Sequence, residues 1–310
     1  MTPVTRKTLW YAAFLAACLA IFFSPVLQLA RLALSEDTYS HILLVPFISL
    51  GLILMKRHGL FDNPGSSPRP AAVLSLAGLL VLGLNWRWGS LVPGNNPPTL
   101  SILALVLLVW AGFLHFYGSR VFHSLLFPLI FLGLAVPMPQ FVIDGLIEWL
   151  REGSAEVTYW LFRATATPVF RHGFIFAVPG ATIDIAPECS GIRSAISLFI
   201  TCLLAGYLFL QTKWARTALL VAAVPVLVIK NGIRIVTLTL LAIHVDPSFL
   251  TGKLHHQGGF VFFLIGLVIL WPVLMWLQKN EGRFMNRKGA PLDPPSGGAH
   301  PGSSGAVAQQ

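Results

Sequence analysis

Three short polar segments lie beside long apolar runs, and each carries a side chain that can take part in catalysis. The first, residues 187–194, reads Pro-Glu-Cys-Ser-Gly-Ile-Arg-Ser and contains Cys189. If a helix begins at this cysteine, its unpaired N–H groups and dipole favour the thiolate form. Arg193, four residues on, would add positive charge on the same side of that helix. The segment offers a candidate nucleophile, although an incidental cysteine beside a capping Ser190 has the same pattern.

The second segment, Lys230-Asn-Gly-Ile-Arg234, lies inside an apolar run. At about 1.5 Å per residue, the stretch from Arg216 to Arg234 is roughly 27 Å long, close to the thickness of the hydrocarbon core. Arg234 is therefore expected near the outer interface, at the depth of Cys189. An ionisable residue inside a span is a functional candidate, and snorkelling to headgroups is the alternative for Arg234. Lys230, one turn deeper, is a supporting candidate.

The third segment, Lys253-Leu-His-His-Gln-Gly-Gly259, contains the adjacent histidines His255 and His256. A histidine exchanges protons near neutral pH, so either could be an acid or base. Paired histidines also suggest a metal, but the sequence shows no confident third ligand, and a solvated pair remains open. His41, at the start of another apolar run, is a further supporting candidate. Neither a metal ion nor an organic cofactor is predicted.

The composition indicates a membrane protein. Of 310 residues, 55% are hydrophobic and 11% are charged, and the mean hydropathy is +0.74, whereas soluble domains carry about 25% charged residues. The apolar residues come in blocks of about 18 or more, the length that crosses hydrocarbon. The net charge of +9 fits topology signals in cytoplasmic loops, and nucleic-acid binding is not predicted.

Eight apolar segments are predicted to span the bilayer. With the N-terminus in the cytoplasm and the spans alternating, the basic residues concentrate in the inside segments, as the positive-inside rule requires. Both termini are therefore predicted inside, and the first apolar run is predicted to be a retained anchor. The predicted spans lie near residues 9–30, 41–55, 71–86, 99–117, 121–137, 191–210, 217–243 and 259–278.

Residues 138–190 interrupt this alternation. Within them, residues 141–163 mix six charges with apolar and aromatic side chains, which is too costly for a lipid-facing span and typical of an amphipathic helix along the interface. Two short runs around Pro179 and Gly180 predict a β-hairpin. The whole segment is predicted to form a cap over the outer mouth of the bundle.

The predicted fold is an all-α polytopic membrane protein with about eight transmembrane helices and this outer-face cap of amphipathic helix and small β-hairpin. Residues 1–288 form a single membrane domain, and residues 289–310, rich in Gly, Pro, Ser and Ala, form a disordered cytoplasmic tail. The three cysteines, at positions 18, 189 and 202, are too scattered for a disulfide framework. No second cysteine at CxxC spacing supports a disulfide oxidoreductase.

Together the three segments bring a thiol, a guanidinium and an imidazole to one membrane face. These are the nucleophile, charge stabiliser and acid/base of a thiol acyl-transfer enzyme. Two readings from other classes stay open. A transporter could bind an anionic solute at Lys230 and Arg234, and a structural subunit of an exopolysaccharide export system would need none of these groups.

The chain resembles the exosortase/archaeosortase family of membrane transpeptidases. The resemblance is carried by Cys-Ser-Gly-Ile-Arg-Ser at 189–194, Asn-Gly-Ile-Arg-Ile at 231–235, His255 four residues before Gly259, and Tyr-Ser-His-Ile-Leu-Leu-Val-Pro at 39–46. The family often has an acidic residue after the histidine, where this chain has His256. It often has Gly after the early Ser-His, where this chain has Ile42.

The resemblance implies that Cys189 is the nucleophile, Arg234 the essential arginine and His255 the essential histidine. It also implies substrates: exported proteins with a C-terminal sorting signal, made of a short motif (often Pro-Glu-Pro), a transmembrane helix and a basic end. The enzyme would lie in the cell inner membrane, within the lipid bilayer and with its site on the periplasmic face. The acceptor nucleophile, whether lipid, glycan or water, is left open.

Overall fold

The computed structural model describes residues 3–57, 59–62, 65–88, 98–250 and 259–289. Within these ranges the chain forms ten α-helices and one small sheet, as an all-α polytopic fold requires. The helices are α1 (Pro3–Ile21), α2 (Phe23–Ser35), α3 (Val45–Met55), α4 (Pro68–Trp88), α5 (Thr99–Ser124), α6 (Leu126–Leu132), α7 (Gln140–Ala164), α8 (Ile192–Phe209), α9 (Lys213–His244) and α10 (Gly259–Gly289).

Six helical segments in the described residues are long and apolar enough to cross a membrane. The number rises to eight if each of two sharply bent helix pairs forms one span. The prediction of a polytopic membrane protein is therefore confirmed.

The bend of the first pair lies within the predicted span 9–30. Helices α1 and α2 meet at an angle of 74°, beside the buried Phe22. Pro25 explains the break, because it has no N–H to continue the helix and its ring would clash with the carbonyl of Ile21 four residues earlier, whereas proline fits the first turn of a new helix. A window of hydropathy does not register this bend, since the residues on both sides are apolar.

The second bent pair replaces the predicted span 121–137. The boundary predicted before it coincides with Gly118, which interrupts α5 with a φ of 82°. The next helical segment, Leu126–Ala135, is too short to cross the ~30 Å core at about 1.5 Å per residue, and it bends by 94° into α7. The structure therefore shows a broken or re-entrant element here and not a straight fifth helix.

Helix α7, predicted as an amphipathic helix over 141–163, packs lengthwise along α9. Gly153 faces Val228, Ser154 bonds Asn231, and Val157 faces Gly232, in the same order along both helices. Small residues allow this close approach. Part of the apolar face predicted to lie against headgroups is thus covered by protein, and its angle to the membrane plane stays a prediction.

The β-hairpin around Pro179 and Gly180 is confirmed, and a third strand extends it. Strands β1 (Phe170–His172), β2 (Ile175–Val178) and β3 (Ala181–Asp184) form an antiparallel sheet in that order. Helix α7 holds both sides of the sheet through two arginines. Arg171 of β1 lies 2.6 Å from Glu156, and Arg151 lies 3.7 Å from Asp184 of β3.

Helix α8 connects the two ends of the bundle. At its start, Arg193 pairs with Asp37 in the 3₁₀ helix Asp37–Leu43 that precedes α3. Near its end, Tyr207 lies 4.9 Å below the ammonium of Lys56, just after α3. Cys189 and Lys56 are therefore at opposite ends, roughly 27 Å apart along α8.

Candidate active site

Cys189 lies in a 3₁₀ turn, Pro187–Ser190, between strand β3 and helix α8. Its backbone N–H donates to the carbonyl of Ala186, 2.8 Å away. Gly191 follows in the left-handed region, with φ +72°, and α8 begins at Ile192. The cysteine is thus close to the start of a helix, but a sharp turn separates it from the helical residues.

Asn231 holds this turn from the middle of α9. Its side chain is only 1% exposed, and its Nδ2 donates to the carbonyl of Cys189 and to Ser154 Oγ, each 2.9 Å away. A Cβ on Gly191 would lie 2.5 Å from Asn231 Oδ1. One amide therefore joins α9, α7 and the cysteine turn, and glycine at position 191 leaves room for it.

Lys230 is fully enclosed and does not snorkel, since it is 1% exposed. Its ammonium donates to Ser194 Oγ, and that hydroxyl donates to the carbonyl of Gly191 at 3.0 Å. Lys230 thus holds the first turn of α8 next to the cysteine. This contact inside the protein gives no support to an anion passage through this part of the bundle.

Arg234 and Cys189 line the same small pocket, about 30 Å³ in volume, which is room for one water. The two side chains interact electrostatically, and Arg234 is half-buried. The remaining walls are Ile183, Asp184, Ile185, Ile235, Leu238 and Thr239. A carbonyl placed in this pocket would meet the thiol and the guanidinium together.

Two supporting candidates do not line this pocket. Arg193 is exposed and pairs with Asp37 at 2.5 Å, contrary to the expectation that it adds charge beside the thiol. The reason is Gly191, because its left-handed turn removes the helical spacing between Cys189 and Arg193. His41 is half-buried on the 3₁₀ helix before α3, with its Nδ1 3.1 Å from the carbonyl of Thr38.

His255 and His256 fall outside the described residues, so their predicted roles stay predictions. Helix α10 begins just after them, and its Gly266 approaches Leu198 of α8 and Lys230 of α9. Among the residues that the structure does describe, no three His, Cys, Asp or Glu side chains are placed to hold a metal ion.

A strip of buried polar atoms runs between α7, α9 and the cysteine turn. Within the described ranges, the side-chain oxygens of Thr158, Ser190 and Asn231 are buried without a hydrogen-bond partner. Sequence reasoning missed Asn231 and Ser154 as site residues. The signal for Asn231 was polarity within the largely apolar α9, which is expensive in a membrane and therefore typical of functional regions. Ser154 lies in the charged helix α7 and gave no such signal.

The family comparison covers all of these elements. The family model described as transmembrane exosortase matches residues 31–272, a range that includes Cys189, Arg234 and His255. No curated protein and no solved structure matches the chain.

Proposed function

The chain belongs to the transmembrane exosortase family, and on that premise we propose that it is a cysteine transpeptidase or protease acting on exported proteins. Its substrates carry a C-terminal sorting signal with a transmembrane helix. The observation that carries the proposal is the shared pocket of Cys189 and Arg234 at one end of the bundle. A nucleophile beside a fixed cation is what acyl transfer through a thioester needs.

The reaction divides among three side chains. The Cys189 thiolate attacks the carbonyl carbon at the cleavage point and forms a C–S bond, while Arg234 stabilises the negative charge on the oxygen. Collapse of this intermediate breaks the C–N bond, and His255 gives a proton to the departing amine of the tail helix. A second nucleophile then displaces Cys189 from the thioester and releases the product.

This site is proposed to face the outside of the cell inner membrane. Lys56 lies at the opposite end of α8 from Cys189, followed by Arg57, and basic residues accumulate on the cytoplasmic side. A substrate whose tail helix crosses the same bilayer would present its cleavage point at the depth of the pocket. The proposed partners are therefore the bilayer and a tailed, exported protein.

A thioester on Cys189 is the expected result when the protein is co-expressed with a tailed candidate substrate and its intact mass is measured. The mass should rise by that of the retained substrate portion, and neutral hydroxylamine should remove the adduct. Cys189→Ser should show no such thioester, because serine lacks the thiol and its hydroxyl does not ionise near neutral pH. The matched control is Cys202→Ser, which changes a buried cysteine within α8. An adduct that persists in Cys189→Ser would contradict the assignment.

The same intact-mass measurement tests whether His255 or His256 is the general acid or base. His255→Ala should slow formation or breakdown of the tetrahedral intermediate by about 10²–10⁴-fold, the usual contribution of a general acid or base. His256→Ala should be milder. Equal losses restored by added zinc would support a metal site instead, and full activity of His255→Ala would remove this residue from the mechanism.

Topology is tested with single cysteines introduced into a variant whose native cysteines, at positions 18, 189 and 202, are alanine. In intact spheroplasts, an impermeant maleimide should label His172→Cys, which lies exposed on β1, and should not label Ser303→Cys until the membrane is permeabilised. Labelling of Ser303→Cys in intact spheroplasts would overturn the proposed orientation.

A further inference from the structure

A second, larger pocket extends along α3 from Pro46 to Arg57, towards the end of the bundle away from Cys189. Its volume is about 550 Å³, within the range of about 300–1,000 Å³ that is usual for small-molecule sites. It is lined by residues of α1, α3, α5 and α6 and by Arg57 and Phe61, which follow α3. None of its lining residues takes part in the proposed reaction.

The walls of this pocket are mainly apolar. Its hydroxyl groups are already bonded within the protein, so they leave few free polar groups for a ligand: Tyr11 to the carbonyl of Val109 at 3.3 Å, Tyr117 to Thr8 at 3.3 Å, and Ser49 to the carbonyl of Pro128 at 2.8 Å. The other walls are aliphatic and aromatic, and include Leu15, Leu50, Ile53, Phe61, Phe113 and Leu132. Such a lining suits a hydrocarbon chain.

Arg57 gives one end of the pocket a positive charge. It lines the pocket and its side chain is exposed. In the described part of the chain its guanidinium has no hydrogen-bond or ion-pair partner. Lys7, the neighbour of the lining residue Thr8, and Lys56 add positive charge at the same end. A pocket with apolar walls and a cationic end complements an amphiphile that has an anionic head.

We propose that this pocket binds an anionic phospholipid of the surrounding leaflet, with an acyl chain between α1 and α3 and the phosphate at Arg57. A transmembrane helix is a poor occupant, because a helix about 10 Å wide fills roughly 400 Å³ per turn. The pocket would hold little more than one turn. The inference does not depend on the proposed function, since lipid binding can be measured on Cys189→Ser protein.

The bound lipid would join two parts of the bundle. Helix α1 packs on α5, whereas α3 packs on α6 and on the 3₁₀ helix before it. An acyl chain between α1 and α3 adds contacts to both helices, so anionic lipid should raise the Tm of the detergent-solubilised protein.

The charge is tested by native mass spectrometry in detergent with equal amounts of dioleoyl phosphatidylglycerol and dioleoyl phosphatidylcholine. The Cys189→Ser protein should retain one phosphatidylglycerol in preference to phosphatidylcholine. Adding Arg57→Gln should lower that preference about fivefold, the contribution of one basic side chain near an anionic lipid surface. The matched control is Arg120→Gln, which removes an exposed cation after Gly118 that does not line the pocket. Equal effects of the two arginine variants would overturn the proposal.

The cavity is tested with two neighbouring alanines of α1, both exposed, of which only Ala12 lines the pocket. Ala12→Phe should place a ring inside the pocket, in the space of the acyl chain, and reduce retention of both phospholipids about fivefold. Ala13→Phe should leave retention and the lipid-dependent rise in Tm unchanged. Undiminished phosphatidylglycerol retention by a monodisperse Ala12→Phe protein would show that the lipid binds elsewhere.

Discussion

Arg234→Lys should slow thioester formation on Cys189 by about 10²–10³-fold, nearly as far as Arg234→Ala. Lysine keeps the positive charge but loses the planar fork of donors. Loss of one fixed oxyanion donor typically costs this factor in rate. Arg234 is half-buried and shares its small pocket with the thiol. Solvent should therefore not replace the hydrogen-bond donors that lysine lacks. Single-turnover intact-mass kinetics with a tailed substrate measures the rate.

Arg193→Lys is the matched control for this substitution. Arg193 lies close to Cys189 in sequence but is exposed and pairs with Asp37, so its change to lysine should alter the rate less than about twofold. If Arg234→Lys keeps half of the wild-type rate, the positive charge of Arg234 is its main contribution to the reaction. A large loss in Arg193→Lys would return that residue to the site.

Gly191→Ala should lower the rate of thioester formation about 100-fold and destabilise the protein. Alanine at φ +72° is strained by about 1–2 kcal/mol. Its Cβ would also lie 2.5 Å from Asn231 Oδ1, so either the amide or the cysteine turn must move. A displacement of about 1 Å at a catalytic group is enough to cost about 100-fold in rate. Thioester kinetics and Tm report the two effects separately.

Two other glycines separate the effect of backbone strain from the effect of the contact with Asn231. Gly173 also has a positive φ, +62°, but open space around its Cβ position, whereas Gly145 has open space and no positive φ. Gly173→Ala should therefore lower the Tm with little effect on the rate. Gly145→Ala should leave the rate unchanged and raise the Tm slightly, because alanine is preferred over glycine inside a helix such as α7. If Gly191→Ala reacts at the rate of Gly173→Ala, the contact with Asn231 does not position the cysteine.

Local patterns in the sequence account for much of the fold. Long apolar blocks identify the membrane helices because crossing hydrocarbon demands a minimum length. The hairpin is visible because alternation on both sides of Pro179 and Gly180 is a local signal. Strand β1 was missed because three residues, Phe170–His172, are too few to show a period of two.

The parts that the sequence did not reveal depend on contacts between distant residues. Hydropathy registers the apolar composition around Phe22 and not the direction of the chain after it. The face of α7 looks interfacial in isolation, and only the approach of Gly153 and Gly232 to the opposite helices shows that α9 covers it.

The same distinction applies to the candidate site. Cys189 and Arg234 could be proposed as a pair because each is chemically unusual in its own segment. The function of Asn231 depends on its contacts with Ser154, 77 residues earlier, and with Cys189, 42 residues earlier. Spacing also misled where Arg193 was assumed to continue a helix from Cys189, since a single glycine with positive φ changes the direction of the side chain.

A contact made by the last helix, α10, can form only late in the synthesis of the chain. The carboxylate of Glu281, buried near the end opposite Cys189, accepts hydrogen bonds from the backbone N–H groups of Gln211 and Thr212, which lead into α9, and from the hydroxyl of Thr212. Glu281 follows Thr212 by 69 residues, so these donors depend on water or headgroups until the ribosome has delivered α10. A nascent chain that stops before residue 281 therefore leaves the start of α9 without this carboxylate, and quality-control proteases would meet an incompletely closed bundle.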